Sequence, residues 1–391
     1  MSKVLKIRCG PWENEPRDKR ELSTYRELGA NIVVMAKGEK GDKFKKECLD
    51  GFEVYKFSTQ FLSTKFPRKL NNIISGFVWS KHARSFKPDI ISCHDIYALF
   101  IGWLSTLFIP KKNKPKLIYD SHEFEIGRTN NRKKFQTICI TILEGFLIRR
   151  CAYSIMVCDS IANEVQHIHN LKERPIVVRS TPEYWKTDPL ICKSSRAKME
   201  EFFGNQISFL LMFHGNISSG KGINLLFSVL EKEKDIALVL MGKKTDSNEV
   251  KLLEKLAKEK SLEGRILYIP PVPQKDIWIY SGAVDVEMLL IQPIDKNHYY
   301  TLPNKFFEAV QSGTPVIASA LPELKAHIDK YQIGLTCNVS DMDSIINAVN
   351  RMRTDRDFYN SCKSNMEKAK RDLCWENEKK ILIEAFSKIN T

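Results

Sequence analysis

Three short stretches of this chain combine residue types that can do chemistry. The first is Pro303–Glu308, PNKFFE. Pro303 suits a first helical position, and Asn304 and Lys305 share the opening turn. A helix N-terminus with an amide and an ammonium side chain suits a diphosphate. Glu308 lies one turn further in, where a carboxylate can accept hydrogen bonds from a ribose diol. The alternative is an ordinary solvated glutamate on a surface helix. The second is HGNISSGKG, His214–Gly222. Its glycines permit close backbone approach, the following helix N-terminus attracts anions, and Lys221 adds a compact charge. It is not a Walker A loop, because Gly222 follows the lysine. An ordinary strand-to-helix turn is the alternative. The third is YDSHE, Tyr119–Glu123, where His122 follows a strand end. A histidine there is more often structural than reactive.

The elements that position these stretches follow from apolar periodicity. Val4–Arg8, Asn31–Ala36, Phe52–Phe57, Pro88–Cys93 and Leu117–Tyr119 read as buried strands. Ser154–Val157 and Ile176–Val178 are the last of that half. Helices separate them. Residues 180–203 are polar, contain Pro182 and Pro189, and read as a linker. The pattern restarts with strands Ile207–Phe213, Ile236–Met241, Arg265–Ile269 and Val284–Leu290, followed by the helix and strand within Thr301–Ser319. Apolar strands alternating with helices predict parallel sheets covered on both faces. The fold class is therefore α/β, in two successive Rossmann-like domains. Ligands in such sheets bind at the carboxyl ends of strands.

Length and composition agree. At 391 residues with 43% hydrophobic content, the chain can form two cores. No run of about 18 uncharged apolar residues reads as a membrane span, and MSKVLKIRCG lacks a signal-peptide apolar region. Ten cysteines occur without a CxxC pair, which argues for reduced thiols in a cytoplasmic protein. The net charge is +14. Residues 1–185 carry 32 Lys/Arg against 20 Asp/Glu; residues 186–391 carry 29 against 27. The basic half fits an anionic membrane surface or anionic substrate. Lys65–Lys87 and Arg128–Arg150 mix basic with aromatic and aliphatic residues in the manner of bilayer-surface segments. No nucleic-acid-binding motif accompanies the charge, and nucleic acid is not an expected partner.

With these residues in view, the chain resembles the GT-B glycosyltransferases, family 4, the large retaining group. EPRDKRELSTYRELGANIVVM, CHDIYAL, YDSHEFE, FHGNISSGKG, LPNKFFEAVQSGTPVIAS and Leu373-Cys374-Trp375-Glu376 match family segments in family order. The resemblance implies an acceptor-binding domain (1–185), a nucleotide-sugar-binding domain (186–371) and a terminal crossover helix (372–391) returning to the N-domain. It implies that Lys221 binds phosphate, Glu308 holds the ribose and His122 reaches the donor sugar; these three are the expected catalytic residues. Gly215, Asn216, Gly222, Leu302, Pro303, Asn304 and Lys305 are expected on the donor side, Gly10 and Asp95 on the acceptor side. Two positions depart from the pattern. Tyr300 stands where the family often has glutamate, and Asn216 where it often has arginine; backbone amides around Leu302–Asn304, with Lys305, would take over part of the donor contact.

The implied activity is retaining transfer of a hexose from a UDP- or GDP-sugar to a glycan or lipid-linked acceptor, in surface polysaccharide biosynthesis. The resemblance also implies that no metal or other cofactor is needed, and Asp18, Asp95 and Asp120 stand alone in sequence. A cytoplasmic protein, peripheral on the inner face of the plasma membrane, is the expected location. A nucleotide-sugar epimerase of the same fold, or a degenerate partner subunit, are the alternatives.

Overall fold

A computed structural model describes residues 2–12, 16–39, 45–58, 68–130, 132–204, 207–217, 221–244 and 248–390. Residues 65–67 of the basic stretch and 218–220 of the glycine loop lie outside these. The chain forms two compact units, residues 1–179 with 378–391, and residues 180–377.

Unit 1 is built on an eight-stranded sheet. In chain order its strands are β1 (Lys3–Arg8), β2 (Asn31–Lys37), β3 (Lys45–Leu49), β4 (Phe52–Phe57), β5 (Ile90–His94), β6 (Lys116–Asp120), β7 (Tyr153–Met156) and β8 (Ile176–Val177). Their spatial order is β3-β4-β2-β1-β5-β6-β7-β8. All pairs are parallel except β3–β4, an antiparallel edge hairpin that the periodicity does not reveal. The central strands are buried on both faces and read as apolar runs. Their exceptions are therefore informative: Lys6 in β1, Ser92 and His94 in β5, and Asp120 in β6 are all buried. The parallel register aligns Arg8 with His94 and His94 with Asp120 at the carboxyl ends of three adjacent strands.

Unit 2 carries a six-stranded parallel sheet: β9 (Phe209–His214), β10 (Ile236–Met241), β11 (Ile266–Ile269), β12 (Val286–Leu289), β13 (Val316–Ser319) and β14 (Gly334–Cys337). Their order is β11-β10-β9-β12-β13-β14. Apolar clusters cover both faces, one around Leu211, Phe227 and Leu238, the other around Leu210, Met212 and Trp185.

The polar segment 180–203 is not a featureless linker. Pro189–Phe203 is a helix, opened by a proline in its first turn and by Asp188, whose side chain accepts the Leu190 N–H at 2.8 Å. Met199 and Trp185 bury into unit 2. The unit boundary falls at Arg179, ahead of the expected residue 185, because Arg179 is held by Glu378 and Asp159 of unit 1. The terminal helix Trp375–Asn390 joins unit 1 from Glu378 onward, where Phe386 stacks on Tyr25 with ring centroids 4.3 Å apart.

Candidate active-site clusters in the two units

In unit 2 the carboxyl end of β9 delivers His214 into the interior, 3% exposed. Its Nδ1 lies 3.0 Å from Glu287 Oε1 on β12, and its Nε2 lies 2.9 Å from Glu308 Oε2. Both carboxylates are buried. Burial lowers the affinity of His214 for a second proton; Glu287 and Glu308 outweigh it and raise its pKa to about 9. The ring is then an imidazolium between two carboxylates, donating to each. Burial pushes Glu308 the other way, but the hydrogen bond and charge of His214 hold its carboxyl below the usual range. Its second oxygen, Oε1, accepts the Gln274 side-chain N–H at 2.7 Å. Glu308 is therefore a positioned, ionised carboxylate and not a solvated surface residue.

Glu308 sits on the helix Asn304–Ser312, which starts one residue later than expected: Pro303 is the N-cap, with extended backbone (φ −77°, ψ 153°), and Asn304 is the first helical residue. The first N–H groups of such a helix have no intrahelical acceptor. Asn304 is exposed at this end, Leu302 is buried and Lys305 is half-buried. The Lys305 Nζ lies 3.9 Å from the centroid of the Phe213 ring. Burial, joined by repulsion from Lys221, lowers its pKa to about 8. Lys221 is thus near enough to be felt, and among the described residues it forms no ion pair.

The loop that brings these groups together depends on two glycine contacts. Gly215 (φ +120°) donates its N–H to Met241 O at 2.8 Å. Gly242 (φ +147°) presses so close that a Cβ there would lie 1.8 Å from the Gly215 carbonyl oxygen. Gly222 (φ +77°) caps the helix Ile223–Lys232, and a Cβ there would meet Leu290 O at 2.4 Å. Asn216 is exposed beside them. Gly242→Ala therefore displaces backbone, not a flexible side chain. We expect it to destabilise unit 2 by about 2–4 kcal/mol, at or beyond the upper end of the ordinary range for a point change. Thermal unfolding checks this, and a change within about 0.5 kcal/mol would remove the contact from the account.

In unit 1 the strand ends carry a second charged cluster. Lys6 Nζ lies 2.6 Å from Glu21 Oε2, 3.1 Å from Asp18 Oδ1 and 3.2 Å from Asp120 Oδ2. Asp18 also accepts from Arg8 at 2.7 Å, and Asp120 from Arg17 at 2.8 Å. Asp18 and Asp120, isolated in sequence, are not isolated in space. Burial works against the Lys6 charge, but the three carboxylates reverse that and hold its pKa well above normal. His94 contacts Asp18 at 3.2 Å and Asp95 at 3.3 Å; against burial, they raise it to about 10. His122 behaves oppositely. Its Nε2 lies 2.9 Å from Asp120 Oδ2, yet burial prevails and its pKa falls below the usual value. At neutral pH it is a neutral ring donating Nε2–H to Asp120. Its backbone N–H donates to Asp95 Oδ1 at 3.1 Å. Asp95 holds φ +66°, a left-handed conformation uncommon outside glycine and found at functional sites. Gly10 packs against the Arg8 guanidinium. His122, Asp95 and Gly10 thus border one network in unit 1, while Lys221, Glu308, Lys305 and the glycines border another in unit 2.

Two family models match this chain: Glycosyltransferase Family 4 over residues 22–181, and Glycosyl transferases group 1 over residues 196–369. They leave only residues 1–21, 182–195 and 370–391 unmatched. The chain belongs to the family 4-like GT-B glycosyltransferases. A glycosyltransferase of Methanocaldococcus jannaschii, itself uncharacterised, is 22% identical over 308 residues, covering 77% of this chain and 75% of its own. The sucrose-phosphate synthase of Thermosynechococcus elongatus shares the fold with a TM-score of 0.79 at 15% identity, over 100% of this chain and 99% of its own. Anabaena HepE, solved with UDP-glucose, shares it with a TM-score of 0.77 at 16% identity, over 99% and 100%.

Sequence reasoning missed several groups in this glycosyltransferase: His214 as a partner of Glu308, Glu287, Gln274, and the Lys6–Glu21 pair. A signal existed for two of them. Lys6 interrupts VLKIR and Glu287 interrupts VDVEMLL, and a charge inside a doubly buried parallel strand requires a partner. The partner itself lies far along the chain, and spacing does not disclose it.

Proposed function

We propose that this glycosyltransferase moves a hexose from a UDP- or GDP-sugar to a glycan or lipid-linked acceptor, with retention of configuration. One observation carries the reading: the helix Asn304–Ser312 presents Lys305 near its N-terminus and an ionised, buried Glu308 one turn further in. The first suits a diphosphate and the second a ribose diol, and a nucleotide has both. That Anabaena HepE was solved with UDP-glucose supports the donor class.

In this reading Glu308 holds the ribose. Gly215, Asn216, Gly222 and the backbone of Leu302, Pro303 and Asn304 line the donor. Lys221, Lys305 and the two helix N-termini stabilise charge that develops on the departing diphosphate. His122, neutral and tied to Asp120, orients the sugar without acting as a base. Gly10 and Asp95 serve the acceptor. No metal is assigned a role. Asp18, His94, Asp120 and His122 do offer ligand atoms within 4.8 Å of one another. Yet Lys6, Arg8 and Arg17 already bind those carboxylates, and a divalent ion would meet three fixed cations there.

A thermal-shift panel of UDP-, GDP- and ADP-sugars tests the donor, followed by NMR of the anomeric product from the stabilising one. An inverted anomer would reject retention, and no stabilisation by any nucleotide sugar would reject the donor class.

Lys305 gives the reading a pH signature. A bound diphosphate favours its ammonium form, so donor binding takes up a proton around pH 8 to 9. Affinity is full below the free-state pKa of about 8 and declines as pH rises through it, by up to about tenfold per unit. Calorimetry in buffers of different ionisation enthalpy measures the uptake, and Lys305→Met abolishes it.

A further inference from the structure

We propose that one face of unit 1 docks on an anionic lipid bilayer, with the helix Lys134–Ile148 lying in the plane of the interface. The helix carries Phe135, Ile138, Ile142 and Phe146 at spacings of three and four residues, so they form one stripe. The stripe faces solvent: these side chains are 75%, 48%, 68% and 39% exposed. A stripe of this kind ordinarily faces a core. Here the opposite face, with Glu144, Leu147 and Ile148, already fills that role.

Basic residues bracket the stripe. Lys133 and Lys134 are exposed at one end, Arg149 and Arg150 at the other. The Arg150 guanidinium lies 3.5 Å from the Phe146 ring centroid, joining the charge to the apolar surface. The only acidic residue of the helix, Glu144, is 1% exposed and bound to Tyr119 and His169. The patch continues sideways. Trp103 of the helix Asp95–Ser105 meets Phe146 edge-on at 5.3 Å.

An apolar stripe framed by Lys and Arg is the composition of an interfacial helix: the apolar side enters the acyl boundary and the basic ends meet anionic headgroups. At about 1.5 Å per residue the 15 residues of this helix span about 22 Å. No described helix is long and apolar enough to cross a membrane, so the contact is one of lying on the surface. A second copy of the chain is the poorer occupant. A two-fold contact through this face would bring like charges together with no exposed acid on the helix to answer them. The inference is independent of the donor and acceptor assigned above.

Flotation of the full chain with phosphatidylcholine vesicles, with and without phosphatidylglycerol, tests the proposal. The expected result is recovery with the anionic vesicles only, falling as salt rises from about 0.1 to about 0.5 M. Lys133→Glu with Lys134→Glu lowers partitioning by at least about 25-fold, at roughly fivefold per charge lost. Phe135→Ser with Ile142→Ser abolishes it. All four positions are exposed, so the unfolding temperature should not move, which separates lost docking from lost fold. Equal recovery with neutral vesicles, no recovery with either, or retention by the serine variant would overturn the proposal. So would a concentration-dependent dimer that the serine variant abolishes, because the face would then belong to a second copy.

Discussion

Replacing Glu308 by glutamine should lower kcat/KM for sugar transfer about 100-fold, equivalent to about 2.7 kcal/mol. Two losses combine. A charge-assisted hydrogen bond to a ribose hydroxyl contributes about 1.5–3 kcal/mol, and the neutral amide weakens it. The amide also disrupts the ground state. Glu308 now accepts from both His214 Nε2 and Gln274 Nε2. Glutamine presents one acceptor and one NH2, so one neighbour faces a donor. His214 keeps a single carboxylate, Glu287, and its pKa falls from about 9 toward the ordinary value. The stability difference from the parent then has a defined sign. His214 is raised in the folded state, so its contribution is fully present below about pH 6.5 and is lost as pH rises through about 9. The glutamine variant should trail the parent most near pH 6 and approach it above pH 9. Steady-state kinetics and thermal unfolding across that range measure both effects. Unchanged turnover in the variant would remove Glu308 from its assigned role.

Lys6→Met should be the most destabilising single change in unit 1. The lysine is completely buried and holds Asp18, Glu21 and Asp120. Removing it leaves the buried Glu21 without its cation and Asp18 and Asp120 with Arg8 and Arg17, at about 3–5 kcal/mol. The unfolding transition of unit 1 should fall on the order of 10 °C. Donor binding by unit 2 should survive, which distinguishes this variant from Glu308→Gln. Adding Glu21→Gln to Lys6→Met should recover part of the loss, because Lys6 is the cation that Glu21 faces and its unpaired charge then disappears. Calorimetry of the full chain reads the transition. An unmoved transition would show that the carboxylates find other partners.

The amino-acid sequence by itself determined the class of fold. VLKIR, NIVVMA, PDIISC, FLLMF, IALVLM and PVIAS are apolar runs of strand length separated by helical periodicity, a local signal that survives without any knowledge of contacts. The placement of Lys305 in the first turn of a helix and of Glu308 one turn further in was also recognisable, because a helix N-terminus and a one-turn spacing are local geometry. Tertiary structure decided the rest. Residues 180–203 read as a linker because prolines and polar residues dominate locally; Trp185 and Met199 become core only when unit 2 closes around them. Asp18 and Asp120 lie 102 residues apart and meet only because β1, β5 and β6 are neighbours that place Lys6 between them. His214, Glu287 and Glu308 are likewise distant in sequence and joined by strand order. Their ionisation is a tertiary property as well, since it arises from a buried carboxylate on each side of one ring. Short-range periodicity encodes elements; the partners of a buried charge are chosen by sheet topology, which no local pattern contains.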